Sequence, residues 1–373
     1  MKKLISKLKK MKKSLLSIAI LFAVAFGANA QDTPLSISGY ADAYYKFDFA
    51  QPRKLSNPLD PSSALIPTQN IGTSFATDQN SLSLGMIGVA LKKTTGKASF
   101  VGEVSFGPRG TGQSIPDVAG QSFHIQNLNV NYAFTDKFAL AAGYFSTFVG
   151  YEVIAPIGNF NYSTSYLFTN GPFQNAGVKA TYAFSPKVSL MVGAFNESWN
   201  VYQANSSFGL NTIGAQLTIT PVEGWTAYAN VLKGDVSGTI LDLTTSYQIT
   251  KSFKAGLNVA DFEAGTGATV TKYEGFQGAA LYLQNAFTDK FSLGVRGEYF
   301  KSKNMTAGGN TYSGVAPKES VVAATLTANF KAGGLTFIPE LRLDNGSAMQ
   351  FFQDNGSMTK SATQGSLAVV YAF

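Results

Sequence analysis

The stretch LSISGYADAYYKFDF, from Leu35 to Phe49, alternates between apolar and polar side chains over its whole length. Its odd positions are apolar or glycine, and its even positions are Ser, Tyr, Asp and Lys. Successive side chains of a β-strand point to opposite faces, so the pattern predicts a strand with one apolar and one polar face. The pattern recurs along the chain and ends at the terminal Phe373.

Turn signals divide the chain into sixteen such segments, with fourteen or eighteen as alternative counts. Short polar connections such as Thr135-Asp136-Lys137 and Thr288-Asp289-Lys290 alternate with long ones, and aromatic residues flank many of the short turns. Amphipathic rings at this level are typical of a membrane-interface girdle. The notable long connections are 50–80, 107–124, 146–174, 301–320 and 344–362.

Residues 1–30 predict a secretory signal peptide. They combine seven lysines with the apolar run Leu15–Phe26 and the small-residue site Ala28-Asn29-Ala30. The run is shorter than the roughly 20 apolar residues of a transmembrane helix. Cleavage leaves 31–373 as a single domain. Removing seven lysines brings the net charge of +7 close to zero, so the basic balance gives no support for nucleic-acid binding.

The residue inventory argues against an enzyme, a cofactor and a metal site. The chain has no cysteine, and His124 is its only histidine. These absences exclude disulfides, thiolate ligands and a cysteine nucleophile, and they disfavour histidine-based catalysis. The repeated segments Asp344-Asn345-Gly346-Ser347 and Asp354-Asn355-Gly356-Ser357 are interpreted as turns rather than Ca²⁺ sites, because Asn-Gly is a preferred turn pair.

Alternation alone does not say which face of the sheet is inside, since a soluble barrel or sandwich would alternate too. The signal peptide, the uneven loop lengths and the aromatic C-terminal strand favour the membrane. The ending with Tyr371 and Phe373 resembles the assembly signal of outer-membrane proteins. We therefore predict an all-β transmembrane antiparallel up-and-down β-barrel in the bacterial outer membrane, with short periplasmic turns and long extracellular loops.

A barrel of 16–18 strands leaves an aqueous channel, so the strand count predicts a pore. Charged residues in the polar register are candidates for its wall, although each could equally be an ordinary solvated or cross-strand-paired residue. Because both signs are present, the prediction is weak charge selectivity. The candidate pore-lining residues are Asp42, Lys46, Glu103, Lys179, Arg296, Glu298, Glu340 and Arg342.

The long connection 146–174 is the candidate constriction loop. It is rich in aromatic residues and has a single charge, Glu152. Solvated loops rarely carry so many rings, and folding into the lumen would bury them. We expect Tyr151, Glu152, Asn161 and Tyr162 to narrow the channel, with Glu152 near its entrance. The alternative is that the loop packs against its neighbours.

Several patches resemble a known family. They are Gly150-Tyr151-Glu152, Asn161-Tyr162-Ser163-Thr164-Ser165, Gly171-Pro172-Phe173, Gly177-Val178-Lys179, Asn196-Glu197-Ser198-Trp199-Asn200 and the opening Ser38–Tyr45 with Asp48-Phe49. They are similar to the OmpL-like outer-membrane β-barrel porins of Bacteroidetes-type bacteria, except that Glu197-Ser198 replaces the single Gly of an Asn-Gly-Trp segment. The resemblance implies a porin-like barrel and says little about the solute.

The sequence therefore predicts a porin for passive diffusion of small hydrophilic solutes. The alternative is a barrel without a channel that acts as an adhesin, an anchor or an accessory of a secretion or uptake complex. The expected partners are outer-membrane lipid, the barrel-assembly machinery during biogenesis and the solutes, with no nucleic acid. The oligomeric state stays open, with a homotrimer among the options.

Overall fold

The computed structural model describes residues 32–50, 70–111, 124–265, 274–304 and 314–373. The predicted signal peptide at 1–30 lies outside these residues, as do parts of the long connections 50–80, 107–124 and 301–320.

The described chain is almost entirely β-structure, with one single-turn 3₁₀ segment at Pro156–Gly158 and two short α-helices, α1 (Pro108–Thr111) and α2 (Tyr166–Asn170). Its strands are β1 (Ser36–Asp48), β2 (Leu82–Thr95), β3 (Ala98–Phe106), β4 (His124–Ala133), β5 (Phe138–Ser146), β6 (Gln174–Ser185), β7 (Val188–Phe195), β8 (Thr212–Ile219), β9 (Trp225–Gly234), β10 (Gly238–Gln248), β11 (Phe253–Glu263), β12 (Gly275–Ala286), β13 (Phe291–Ser302), β14 (Ser320–Ala332), β15 (Leu335–Gly346), β16 (Phe351–Phe352), β17 (Met358–Thr359) and β18 (Ser361–Ala372).

Sixteen of these strands, β1–β15 and β18, form one closed antiparallel barrel in which chain neighbours are sheet neighbours. Closure is made by β18, which pairs with β15 on one side and with β1 on the other, placing Tyr44 opposite Ala368. Closure leaves no free sheet edge. The predicted fold and strand count are confirmed, and each predicted segment coincides with one barrel strand within a few residues.

The outer wall is apolar. Leu82, Leu84 and Ile213 are 83%, 72% and 70% exposed, and they share this face with many other large apolar side chains. In water such a surface would be unfavourable, at about 25 cal/mol for each Å² of apolar area. Contact with lipid avoids this cost, so the surface fits the lipid-facing wall of a transmembrane barrel.

Aromatic rings collect on this wall next to the short turns, as the girdle pattern predicted. The rings of Phe287 and Phe291 lie 5.5 Å apart across one turn, and Phe291 stacks on Phe330 of the next strand at 4.8 Å. Tyr182 and Phe184 lie 5.1 Å apart beside another turn. Their number around one end of the barrel matches an interfacial band.

The polar face of β1 points inward, as the alternation requires, but it does not meet open water. Asp42, Lys46 and Asp48 are only 6%, 3% and 2% exposed. The Tyr162 hydroxyl that bonds Asp42 and the Thr77 carbonyl that bonds Lys46 come from long connections that enter the barrel. The expectation of a wet inner face is thus wrong for this strand.

The long-loop half of the interior is also more apolar than the alternation suggested. Inward positions on β7 and β9–β13 carry large apolar side chains that are at most 6% exposed: Phe195, Leu232, Ile240, Phe262, Phe276 and Phe300. They pack with Val149 and Leu167 from connection 146–174 into one cluster. This half of the barrel therefore has a packed core.

The interpretation of the two Asp-Asn-Gly-Ser segments as turns needs one correction. Asp344, Asn345 and Gly346 continue β15 and pair with β14 and β18, so this copy is strand. The copy at 354–357 forms the turn between β16 and β17, a small hairpin that the alternation did not predict. Pairing on both sides satisfies the backbone of the first copy, whereas the second lies beyond the barrel wall.

Candidate functional site

Residues 146–174, here called the inner loop, cross the barrel interior. The loop leaves β5 and rejoins the wall at β6, yet its contacts lie on the far side of the closed sheet. The Gly150 N–H donates to Asp242 on β10, Tyr151 stacks on Tyr282 of β12 at 4.2 Å, and the Tyr162 hydroxyl donates to Asp42 on β1. The loop thus follows the inner wall from β10 to β1.

Local sequence gives the inner loop its shape. The Asn159 side chain binds both the N–H and the carbonyl of Val153, which closes a compact turn. The Ser165 hydroxyl accepts from Phe168 N–H and caps the N-terminus of α2. Side-chain acceptors of this kind satisfy backbone groups that a buried loop would otherwise leave unpaired.

A buried ion pair anchors the middle of the inner loop to the wall. Arg296 of β13, which is fully buried, donates to Glu152 at 2.8 Å and to the Ser163 carbonyl at 2.6 Å. Glu152 also accepts from the Tyr282 hydroxyl and from Ser165 N–H. Glu152 is 6% exposed, so it lies against the wall rather than at the predicted channel entrance.

A second pair lies on β15. Arg342 binds Asp344 through two nitrogens at 2.8 and 2.9 Å, and it also donates to the Thr164 carbonyl of the inner loop. The Tyr166 hydroxyl donates to Asp344 at 2.8 Å. Bidentate geometry fixes both partners, so a wall pair holds the loop backbone and a loop side chain together.

Two wall carboxylates receive backbone N–H groups of the inner loop. Glu298 accepts from Tyr166 and Leu167, both at 2.9 Å. Glu340 accepts from Tyr162 and Ser163 at 3.0 and 3.2 Å. Charge-assisted bonds to backbone donors are stronger than neutral ones, so these carboxylates position the loop.

Residues 70–80, here called the second segment, also enter the barrel and lie on the inner loop. Ser74 N–H donates to Thr169, and its carbonyl accepts from Thr164. Lys46 donates to the Thr77 carbonyl at 3.1 Å, and Asp78 bonds the Tyr44 hydroxyl. Because this segment is mostly polar and belongs to a long connection, its sequence did not indicate that it enters the barrel.

Arg109 of α1 is a further inserted side chain that the sequence did not single out. Its guanidinium lies 3.7 Å from Asp42 and over the rings of Phe75 and Tyr162, at 4.4 and 4.8 Å from their centroids. Asp42 also accepts from Met86 N–H and from the Tyr162 hydroxyl. Arg109 therefore joins the second segment, the inner loop and β1.

Burial changes the acid–base behaviour of the loop tyrosines. It raises the pKa of Tyr151 to about 12, and it raises the pKa of Tyr162 and of Tyr166 above the ordinary value near 10. Desolvation disfavours the phenolate, so these hydroxyls are neutral donors at physiological pH.

The opposite side of the interior, β2–β6, receives fewer loop contacts. Glu103 of β3 accepts from Asn127 at 2.7 Å and from the Tyr40 hydroxyl at 3.4 Å. Lys179 of β6 lies with its ammonium 4.1 Å above the Phe145 ring. Both residues are half-buried rather than covered.

The structure thus divides the candidate pore-lining residues into two groups. Six of them face inward but are at most 6% exposed beneath the inner loop or the second segment: Asp42, Lys46, Arg296, Glu298, Glu340 and Arg342. The geometry assigns these six to the packing between wall and loop. Glu103 and Lys179 retain exposure, and their role in the pore stays a prediction.

The residues of the predicted assembly signal lie at the end of the strand that closes the barrel. Tyr371 and Phe373 are 47% and 64% exposed on the outer side of the closing strand, and the Phe373 backbone pairs with Gly39. Recognition by an assembly machinery stays a prediction.

Within the described ranges no cluster of His, Cys, Asp and Glu has the arrangement of a metal site. The described helices include none that is long and apolar enough to span a bilayer.

Solved structures with similar folds are porins and other outer-membrane proteins. The anion-selective porin from Comamonas acidovorans matches with a TM-score of 0.57 and 10% identity, covering 92% of this chain and 100% of that chain. The trimer form of OmpT, an outer-membrane protein of Vibrio cholerae, gives 0.53 and 12%, covering 91% and 99%. A mutant of the Rh. blastica porin gives 0.53 and 13%, covering 91% and 100%. At these identities the likeness shows the fold.

No curated protein sequence matches the chain significantly. A family model does match, over residues 34–373, and its description is "Putative beta-barrel porin-2, OmpL-like". The match spans nearly the whole predicted mature chain. Together with the closed sixteen-strand barrel it indicates the bacterial outer membrane as the location. The chain belongs to the OmpL-like beta-barrel porin-2 family.

Proposed function

We propose that the protein is a porin whose channel is narrowed by the inner loop and passes small hydrophilic solutes by passive diffusion, without enzymatic activity. A barrel of sixteen strands is wide enough for an aqueous channel. The inner loop and the second segment occupy the side formed by β10–β15 and β1, and this supports a path along β2–β6, where inward polar residues such as Glu103, Asn127 and Lys179 are half-buried.

The single observation that carries the proposal is the course of the inner loop across the lumen, fixed by Arg296 and Glu152. A loop held in this way reduces the cross-section of the lumen without blocking it completely. Passage should then be limited by size more strongly than the strand count alone implies.

The primary experiment measures solute passage through the refolded mature protein. Planar bilayers should show discrete conductance steps, and liposomes should swell in monosaccharides faster than in larger oligosaccharides. Absence of both steps and swelling would contradict the proposal and favour the alternative of an adhesin, anchor or accessory barrel.

A shortened inner loop tests whether the loop sets the channel width. Ser165 N–H lies 2.8 Å from the Glu152 carboxylate, so the two residues are close enough to be joined by Gly-Gly in place of residues 153–164. Single-channel conductance and the size of the largest permeant sugar should both rise. A Gly-Gly replacement of exposed residues 354–357, in the β16–β17 turn, is the matched control and should leave both unchanged.

The predicted assembly signal and oligomer are part of the same proposal. Deleting Phe373 should lower the amount of folded protein in the outer membrane by impairing recognition by the barrel-assembly machinery. Cross-linking in native membranes should show a homotrimer, the form in which the similar OmpT of Vibrio cholerae is described. A monomeric product would contradict the trimer and leave the channel proposal standing.

A further inference from the structure

We infer that the channel favours anionic solutes, and that Lys179 is the residue that contributes most to this preference. The inference rests on the proposed function and adds the sign of the selectivity. It follows from which interior charges are already paired within the protein and which are not.

The interior carboxylates are hydrogen-bonded on the side that the inner loop and the second segment occupy, formed by β10–β15 and β1 and here called the filled side. Asp42, Glu152, Glu298, Glu340 and Asp344 all accept hydrogen bonds from the inner loop or the wall, and each is at most 6% exposed. Asp242 of β10 is likewise bound by Asn230, Asn258 and Gly150. A carboxylate that is covered in this way cannot be contacted by a passing ion, so it offers no cation-binding site along the path.

Three inward lysines differ from these carboxylates in their exposure and in their pairing. Lys92 of β2, Lys179 of β6 and Lys254 of β11 are half-buried. Through the described part of the chain, none of the three forms a salt bridge or a hydrogen bond, and Lys179 has only the Phe145 ring beneath it. Their ammonium groups are free to interact with a solute.

The position of these lysines strengthens the effect. Lys254 lies near the short-turn end of β11, where the neighbouring inward side chains Ser246 and Gln284 are neutral. Lys92 lies near the short-turn end of β2, within electrostatic range of Glu103. Glu103 is the half-buried carboxylate of this side, and both of its oxygens accept hydrogen bonds, from Asn127 and Tyr40. Among the described inward residues of β2–β6, the two lysines Lys92 and Lys179 stand against one carboxylate, Glu103, so the path along these strands carries a positive charge, and Lys254 adds to it from β11.

Lys179 is the strongest contributor because it is the nearest of the three to the inner loop. It is carried by β6, which the inner loop enters at Gln174, and it lies beside Phe145 at the end of β5, where the loop begins. A unit positive charge about 12 Å from the ions in water attracts anions and repels cations, and together these effects change the local anion-to-cation ratio by about threefold. Reversal of that charge should therefore change selectivity by about tenfold.

The experiment is a reversal-potential measurement in planar bilayers under a KCl gradient. Wild-type protein should pass chloride over potassium by about threefold or more. Lys179→Gln should lower this ratio by about threefold and Lys179→Glu by about tenfold, with Lys254→Glu lowering it less. Lys93→Glu is the matched control: Lys93 lies on the outward face beside Lys92, so its reversal should leave the ratio unchanged.

The outcomes separate the inference from the proposed function. Conductance with equal passage of both ions, or with potassium favoured, would overturn the anion preference and leave the porin standing. An anion preference that Lys179→Glu does not change would overturn the assignment to Lys179. Absence of conductance in the wild-type protein would overturn the porin proposal and this inference with it.

Discussion

The two sides of the barrel interior both carry inward charged residues, but the burial of these residues differs between the sides. On β10–β15 and β1, most inward charged side chains bind the inner loop or its neighbours and are almost fully buried, as in the Arg296–Glu152 pair, with Lys254 as an exception. On β2–β6, Glu103 and Lys179 face the same lumen and remain half-buried. An inward charge therefore contributes to a pore only where no loop covers it. The filled side should govern stability, and the uncovered side should govern ion selectivity.

The largest expected effect is on the filled side. Arg296→Met removes the cation beneath the inner loop and leaves Glu152 buried without its ion pair, which should lower the free energy of unfolding by about 3–5 kcal/mol. Urea titration in detergent measures the loss, and chymotrypsin should cut the released loop at its aromatic residues. Lys301→Met, on the outward face of the same strand, is the control. A loss under 1 kcal/mol, roughly, would contradict the anchoring role.

High pH should weaken the same side. Burial raises the pKa of Tyr151 to about 12, from 10 in the unfolded chain, so the neutral phenol stabilises the folded state fully below pH 10. This contribution, about 3 kcal/mol, is lost as the pH rises through 12. Unfolding titrations at a series of pH values should show it. Tyr151→Phe should make the decline correspondingly shallower, and an equal decline in both proteins would count against the assignment.

A single hydrogen bond on the filled side should have a smaller effect. Tyr162→Phe removes the donor that lies 2.6 Å from Asp42, and the expected loss is about 1.5–3 kcal/mol because the acceptor is charged. The free energy of unfolding measures it. Tyr299→Phe provides the comparison, since Tyr299 is 42% exposed on the outer wall and should change stability by no more than about 0.5 kcal/mol. Equal losses in the two variants would remove the distinction.

The smallest effect on stability should come from the uncovered side. Glu103→Gln keeps an acceptor for Asn127 and removes the charge, so the anion preference should rise by about threefold with little loss of stability. Glu298→Gln on the filled side should do the reverse, lowering stability while leaving the reversal potential unchanged. If both variants moved the reversal potential alike, the two sides would not differ as described.

The strands could be predicted because their information is local. An alternation with period two, interrupted by polar turns, defines each strand and the face that it presents to lipid. This was sufficient for β1, β13 and β18 alike. The same rule failed for inward positions such as Phe262, Phe276 and Phe300, which are buried against one another in the long-loop half. Apolar residues on both faces make the alternation too weak to show which ring points inward.

The candidate site could be predicted only in part. The aromatic composition of residues 146–174 indicated a buried loop, and its residues Tyr151, Glu152, Asn161 and Tyr162 do contact the inner wall. The second segment and Arg109 were missed, since a lone arginine and a mostly polar segment such as 70–80 look like any solvated loop. Their partners are far away in the chain, as Asp42 is from Arg109.

By itself, the sequence determined the positions of the strands and their order, because a two-residue period and a turn are properties of neighbouring residues. Only the tertiary structure decided which inward charges are covered. That outcome depends on a loop meeting wall residues more than a hundred positions away, as Glu152 meets Arg296 across 144 residues. Such contacts exist only once the barrel has closed, and they separate the charges that hold the loop from those that face the solute.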